Sequence, residues 1–320
     1  MKRLLVIHTG GTISMSQDES NTVNTNGDNP IANHQELIQT YADIKEVMPF
    51  TVPSPHITMR HVKEIKQLIE SHVDEFDGFV ITHGTDTLEE TAFLLDLTLN
   101  VTKPVVITGA MRSSNEIGSD GLYNFIASIR VATADDSNHK GVMVVFNDEI
   151  HTARNVTKTH TSNTNTFQSP NHGPLGVITK AGVYFHHRPY DKKTLPAIDT
   201  TLNVPLIKAH MDMGSEVLDF YAEQHVDGLV IEALGQGNLP PTAIAGLDKC
   251  LAAEMPIVLV SRSFNGIVSA VYAYTGGGHQ LQNKGVIFSN GLNGQKARLK
   301  LLVALSNGYN HQMIRDYFND

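Results

Sequence analysis

Short apolar runs recur along the chain, separated by stretches in which apolar positions return every three or four residues. The runs are "LLVI" (4–7), "GFVIT" (78–82), "PVVIT" (104–108), "VMVVF" (142–146), "GLVIEAL" (228–234) and "PIVLVS" (256–261). Hydrophobicity that is continuous rather than alternating predicts strands buried on both faces, as in a parallel sheet. Between them, "HVKEIKQLIESHV" (61–73) and "EETAFLLDL" (89–97) carry helical periodicity. In the first, Val62, Ile65, Leu68 and Ile69 share a face and leave Lys63, Glu64 and Lys66 toward water. Strand and helix in alternation predict an α/β fold, a parallel sheet joined by right-handed crossovers and flanked by helices. A last helix is expected over 294–306, with Ala297, Leu301, Leu302 and Leu305 on its buried side. The threonine- and asparagine-rich stretch "NVTKTHTSNTNTF" (155–167) reads as a loop, and no internal repeat is evident.

The alternation lapses at "HRPYDKKTLPAIDTTLNVP" (187–205), which holds three prolines and several charges, and then resumes. With 320 residues to place, this predicts a larger N-terminal parallel-sheet domain over 1–186, a linker over 187–205 and a smaller C-terminal α/β domain over 206–320. Charge narrows the function. Lys and Arg number 24 against 33 acids, a net charge of −9, which argues against nucleic acid or a membrane surface as a general partner. Cys250 is the single cysteine, so no internal disulfide is possible, which suits a reducing cytoplasm; on its expected helix it reads as packed. The opening "MKRLLVIHTGG" has four apolar residues before His8, short for a signal-peptide core, and no run reaches membrane-spanning length. The expected location is cytoplasmic, where the sequon "NVT" (155–157) has no use.

Candidate chemistry gathers where ligands bind in such sheets, beyond the C-terminal ends of the strands. Run 4–7 delivers "HTGGT" and run 78–82 delivers "HGTDT". A phosphate loop needs Lys-Ser/Thr after its last glycine, and here the chain reads "GGTISM"; the dinucleotide fingerprint lacks its third glycine. Two hydroxyls, Thr12 and Thr85, and the carboxylate of Asp86 remain, presented on turns. Asp86 also fits a plain helix N-cap with Glu89 three residues on. Lys158 alone reads as a solvated loop lysine. The 16 histidines include no H-E-x-x-H or similarly tight spacing, and His186 and His187 on a strand would point apart, so no metal is expected.

Two long segments change the picture. "TGGTIS" (9–14) and "DGFVITHGTDTLEETAFLLDL" (77–97) resemble the two signature segments of the bacterial-type L-asparaginase family, in its cytoplasmic form. The resemblance continues through "PVVITGAMR" (104–112), "SDGLYN" (119–124), "VFNDEIHTARNVTKTHTSNTNTFQSPNHGPLG" (145–176) and "SNGLNGQKARLKLLVAL" (289–305), nearly the whole chain in the family's order. It implies hydrolysis of L-asparagine to L-aspartate and ammonia without metal or cofactor. By match to the motifs, Thr12 is implied as the nucleophile forming an acyl-enzyme ester, with Thr85, Asp86 and Lys158 completing the catalytic constellation. Thr85 and Asp86 also belong to the implied substrate site, where Asp86 would receive the α-ammonium and Ser54 would hold the α-carboxylate. The resemblance further implies a homotetramer, a dimer of dimers whose sites are completed across the dimer interface.

Two departures stand out. The loop after the first motif, "SMSQDESNTVNTNGDNP" (14–30), lacks the family's activating tyrosine; Tyr274, in a region that family sites borrow from a neighbouring subunit, is a candidate replacement. Pro55 follows Ser54 where the family commonly has a glutamine. Alternatives stay open: a glutaminase-asparaginase of broad specificity, the amide-releasing subunit of a tRNA-dependent amidotransferase, or an amino-acid-binding sensor that has lost catalysis. The amidotransferase subunit usually carries an extra N-terminal domain, whereas this sequence starts at its first strand.

Overall fold

A computed structural model describes residues 1–12, 16, 17, 23, 24, 35–189 and 193–319. The chain divides into two compact units, Met1–Thr194 and Leu195–Asp320, each with its own sheet. The expected loop 14–30 lies outside the described residues, apart from the antiparallel pair Ser16–Gln17 and Val23–Asn24.

In the first unit an eight-stranded sheet runs Val183–Phe185, Gly176–Ile178, Glu149–Thr152, Val142–Phe146, Val105–Thr108, Gly78–Thr82, Arg3–His8, Asp43–Val47. The five strands from Val142–Phe146 to Asp43–Val47 are parallel. The four apolar runs expected here are strands, with the burial that continuous hydrophobicity predicts: Leu4 to Ile7, Phe79 to Ile81 and Val105 to Ile107 are wholly buried. Helix Gly121–Thr133 lays Phe125, Ile129 and Ala132 on Leu4, Val6, Val80, Val106 and Met143. Helix Leu88–Thr98 packs on Val105–Thr108 and Val142–Phe146, and helix Met59–His72 packs on it in turn.

The parallel body is as expected, and three antiparallel strands extend it at one end, so the whole sheet is mixed. Val142–Phe146 turns into the antiparallel Glu149–Thr152 through Asn147 and Asp148, both at positive φ (47° and 67°). Two such residues match the twist of a tight hairpin, and Asn and Asp tolerate the left-handed region better than most. Gly176–Ile178 and Val183–Phe185 add two more antiparallel strands. Three smaller expectations change. Lys66 is buried, not in water, with Nζ 2.6 Å from Glu70 Oε1. Within the expected loop 155–167, Thr157–Lys158 pairs with Phe167–Gln168. His186 and His187 lie beyond the end of strand Val183–Phe185, both exposed.

The second unit has four parallel strands in the order Leu206–Lys208, Leu229–Ala233, Ile257–Ser261, Ile287–Phe288. Helices Glu216–Glu223 and Ile244–Ala252 pack together, and Cys250 is buried between them with Sγ 3.3 Å from the Leu218 carbonyl oxygen. Burial pushes its thiol pKa up, the opposite of what a reactive thiolate needs. Helix Gly294–Ser306 forms as expected, but its buried surface is wider: Leu299, Val303, Lys296 and Lys300 are inside, while Leu305 is half-buried. It is also not the last helix. His311–Asn319 follows, burying Ile314, Tyr317 and Phe318 at helical spacing. The ammonium of Lys300 sits 4.5 Å and 5.1 Å from the Tyr317 and Phe318 ring centres, which compensates its burial by cation–π attraction. Among the described residues no helix is long and apolar enough to cross a membrane.

Candidate active site

The site begins where two neighbouring parallel strands end. Arg3–His8 pairs with Gly78–Thr82, and their register continues past both ends: Thr9 N donates to the Thr82 carbonyl at 3.1 Å, and so does Thr9 Oγ1 at 2.8 Å. The chains then turn, one into Gly10-Gly11-Thr12 and the other into His83-Gly84-Thr85. The glycines are what let these turns meet. Gly11 is at φ 89°, and a Cβ there would fall 2.4 Å from the Gly84 Cα. A Cβ on Gly84 would fall 2.7 Å from Ser54 Cβ, and one on Gly10 2.7 Å from the Val52 carbonyl oxygen. Segment 9–12 thus packs main chain to main chain against Val52 on one side and against 83–84 on the other, while the space beside Gly84 is filled by the Ser54 side chain.

This packing assembles the residues singled out above. Lys158, on strand Thr157–Lys158, donates from Nζ to Thr85 Oγ1 at 3.0 Å and to Asp86 Oδ1 at 2.7 Å. Ser54, buried at the start of the short 3-10 turn Ser54–His56, accepts at Oγ from the Asp86 N–H at 3.1 Å. Its own hydroxyl hydrogen is left to donate, as a carboxylate ligand requires. Pro55 occupies that same turn. Thr12 is half-buried one residue beyond the Gly11–Gly84 contact, as Thr85 is one residue beyond it on the other strand. Tyr274 lies in the second unit, exposed, its ring 5.6 Å from that of Tyr272.

Asp86 is not the helix cap. Thr87 holds the N-cap position of Leu88–Thr98 and donates its hydroxyl to the Ser54 carbonyl at 2.7 Å. The Asp86 carboxylate instead accepts a charge-assisted bond from the Lys158 ammonium. Asp86 nevertheless stays 58% exposed at its side chain, open to a second cation. An ammonium, a carboxylate and two hydroxyls held around glycine turns can order a proton path and bind a zwitterionic amino acid. Among the described residues no group of three His, Cys, Asp or Glu side chains is placed to hold a metal ion.

Comparison with known proteins decides the family. The family model for "Asparaginase, N-terminal" matches residues 3–191, and that for the "Glutaminase/Asparaginase C-terminal domain" matches 203–318. The chain belongs to the asparaginase family. It is 39% identical over 322 aligned residues to a probable L-asparaginase of Deinococcus radiodurans, covering 99% of this chain and 97% of the relative. An L-asparaginase of Bacillus licheniformis is 35% identical over 95% of this chain and 96% of its own. A probable periplasmic L-asparaginase of Haemophilus influenzae is 33% identical over 100% and 93%.

Beneath the asparaginase motifs lies a layer that the sequence reading passed over. His83 is completely buried, with Nδ1 2.7 Å from the Gly84 carbonyl and Nε2 2.9 Å from Thr91 Oγ1. A carbonyl only accepts, so Nδ1 carries the proton and Nε2 accepts from the Thr91 hydroxyl. Burial lowers the His83 pKa from 6.5 to about 4, the Gly84 bond opposing the shift; burial lowers His8 to about 4 as well, beside Thr82. The neutral imidazole thus braces the turn that presents Thr85. Its signal was in the motif itself, where His83 and Thr91 flank "GTDTLEE" at a distance one helical turn can close.

Two expectations follow for this asparaginase-family member. Gly11→Ala should lower stability by more than about 1–3 kcal/mol, the cost of the positive φ alone, because the added methyl also meets Gly84. Gly173→Ala is the control, having φ 70° and nothing within 4 Å of the added methyl. Equal loss in the two variants, measured by urea unfolding, would mean the close approach carries no weight. The second concerns pH. Below 6.5 an unfolded His83 takes up a proton that the folded one refuses until about 4, so stability is full above 6.5 and falls across that window. From pH 7.5 to 5 this amounts to about 2 kcal/mol for one such histidine. His83→Asn should flatten the stability–pH curve by that amount, and an unchanged slope would show that His83 takes up its proton alike in the folded and unfolded chains.

Proposed function

We propose that this chain hydrolyses the side-chain amide of L-asparagine to L-aspartate and ammonia, with Thr12 as nucleophile. The observation that carries the reading is the bonding of Lys158 to both Thr85 and Asp86, on a turn whose Gly84 abuts Gly11. Ser54 holds the α-carboxylate of the substrate and Asp86 its α-ammonium, which presents the side-chain amide toward Thr12. The Thr12 oxygen attacks the amide carbon. Its proton leaves through Thr85 and the Lys158–Asp86 pair, or a water they hold, and is delivered to the amide nitrogen. The tetrahedral oxyanion is stabilised by backbone N–H groups of the glycine turns, and its collapse expels ammonia and leaves a β-aspartyl ester on Thr12. Water attacks the ester, returning the proton to Thr12 and freeing aspartate.

We also propose a homotetramer, a dimer of dimers, in a reducing cytoplasm. Phe264, Ile267, Val271, Tyr272 and Tyr274 are all exposed within one short segment of the second unit, an apolar surface that association would cover. Tyr274 of a neighbouring subunit then stands in for the tyrosine missing from 14–30. Sedimentation that yields a monomer would remove this part of the proposal, and cell fractionation checks the compartment.

The functional test is ammonia release from L-asparagine and L-glutamine by the parent protein and Thr12→Ala. Turnover of asparagine should fall by at least about 1,000-fold in the variant, as expected for loss of a nucleophile. One methylene separates the two substrates, worth about 1–3 kcal/mol, so the glutamine rate reads how tightly the pocket is drawn. Asparagine bound by the parent protein without turnover would favour the sensor, a reading supported by the absent loop tyrosine.

A further inference from the structure

A lysine ammonium hangs on a flexible four-carbon stem, so it is only as well placed as the backbone it grows from. The backbone of Lys158 has its own attachment to the helix that follows Thr85 and Asp86. Glu89, in the first turn of Leu88–Thr98 and 4% exposed, accepts at Oε1 from Lys158 N at 3.3 Å and from Thr157 Oγ1 at 3.1 Å. Residues 85, 86 and 89 therefore grip Lys158 at both ends, the ammonium through the first two and the main chain through the third. The other side of the segment is fixed as well. Lys158 pairs with Phe167, whose buried ring lies 4.4 Å from Phe146, and Ser169 Oγ is 3.0 Å from the buried His151 Nδ1.

Glu89 is a firm base for this grip. Every residue of its helix except Glu90 is buried, so the helix cannot shift without disturbing the core. A carboxylate buried this deeply costs free energy unless it is bonded, and the first helical turn favours its negative charge. We propose that Glu89 is a positioning residue for the amide hydrolysis: it seats the Lys158 main chain so that the ammonium reaches Thr85 and Asp86 together. The inference rests on the functional reading above. Glu89 does not itself touch the substrate or the reacting atoms.

The test compares Glu89→Ala and Glu89→Gln with the parent protein by steady-state kinetics on L-asparagine and by residue-level amide hydrogen exchange. Glu89→Ala should lower kcat by about 10–100-fold, the effect of a displaced catalytic group, while KM changes by less than about threefold. Exchange at the Lys158 amide should quicken about tenfold as its acceptor is lost. Glu89→Gln keeps an oxygen at Oε1 and should stay within about threefold of the parent kcat, with the amide still protected. The proposal is overturned if Glu89→Ala keeps its kcat, if Glu89→Gln falls as far as Glu89→Ala, if KM rises in proportion, or if Lys158 exchange does not change. Should Glu89→Ala fail to fold, Thr157→Val, which removes one of the two bonds, must still lower kcat with KM held. If the parent protein releases no ammonia, the functional reading fails and the exchange measurement alone judges Glu89.

Discussion

The site depends on a contact with no side chain in it. Gly11 lies against the main chain of His83 and Gly84 at distances that exclude a Cβ on either glycine, and Gly84 leaves room beside it for the Ser54 side chain. Each of these glycines is followed by a hydroxyl residue, Thr12 or Thr85, so the approach of the two main chains sets how near those hydroxyls stand. The parallel register of Arg3–His8 with Gly78–Thr82 brings the turns to the same level of the sheet edge, and the Thr9–Thr82 bonds extend that register beyond the strands. The pair "TGGT" and "HGTDT" is therefore one structural device, and neither glycine turn is intelligible without the other.

Around this contact the protein arranges fixed polar groups in place of mobile ones. His83, held neutral by burial, braces the turn from below; Ser54 ties the Asp86 main chain from the side; Lys158 closes over Thr85 and Asp86. The bond acceptors that fix the framework are themselves fixed, Glu89 by a buried helix and the Thr82 carbonyl by the sheet. Preorganisation of this kind means that little reorganisation is needed when charge develops in the reaction.

Much of this was legible in the sequence. Continuous apolar runs gave away the buried parallel strands, and the glycine-threonine motifs at their ends marked the site, because both signals are local. What escaped depends on partners far along the chain. Asp43–Val47 is a mostly exposed edge strand without an apolar run, and Gly176–Ile178 is held in place by pairing with Glu149–Thr152. His311–Asn319 has few apolar residues, yet Ile314, Tyr317 and Phe318 are buried together, the last two against the Lys300 ammonium. Asp86 reads as a cap until Lys158, 72 residues away, competes for it. Glu89 reads as a cap-box glutamate until the 157–158 segment is seen resting on it.

The central claim is that the glycine turns present Thr12 as a nucleophile, and a trapped intermediate tests it most directly. Protein mixed with L-asparagine and quenched in acid within milliseconds would be digested and its peptides weighed. The account predicts an aspartyl ester on the peptide containing Thr12, located to that residue by fragmentation and absent when the substrate is omitted. Turnover with an ester on a different residue, or with no ester at any quench time while Thr12→Ala retains activity, would contradict it.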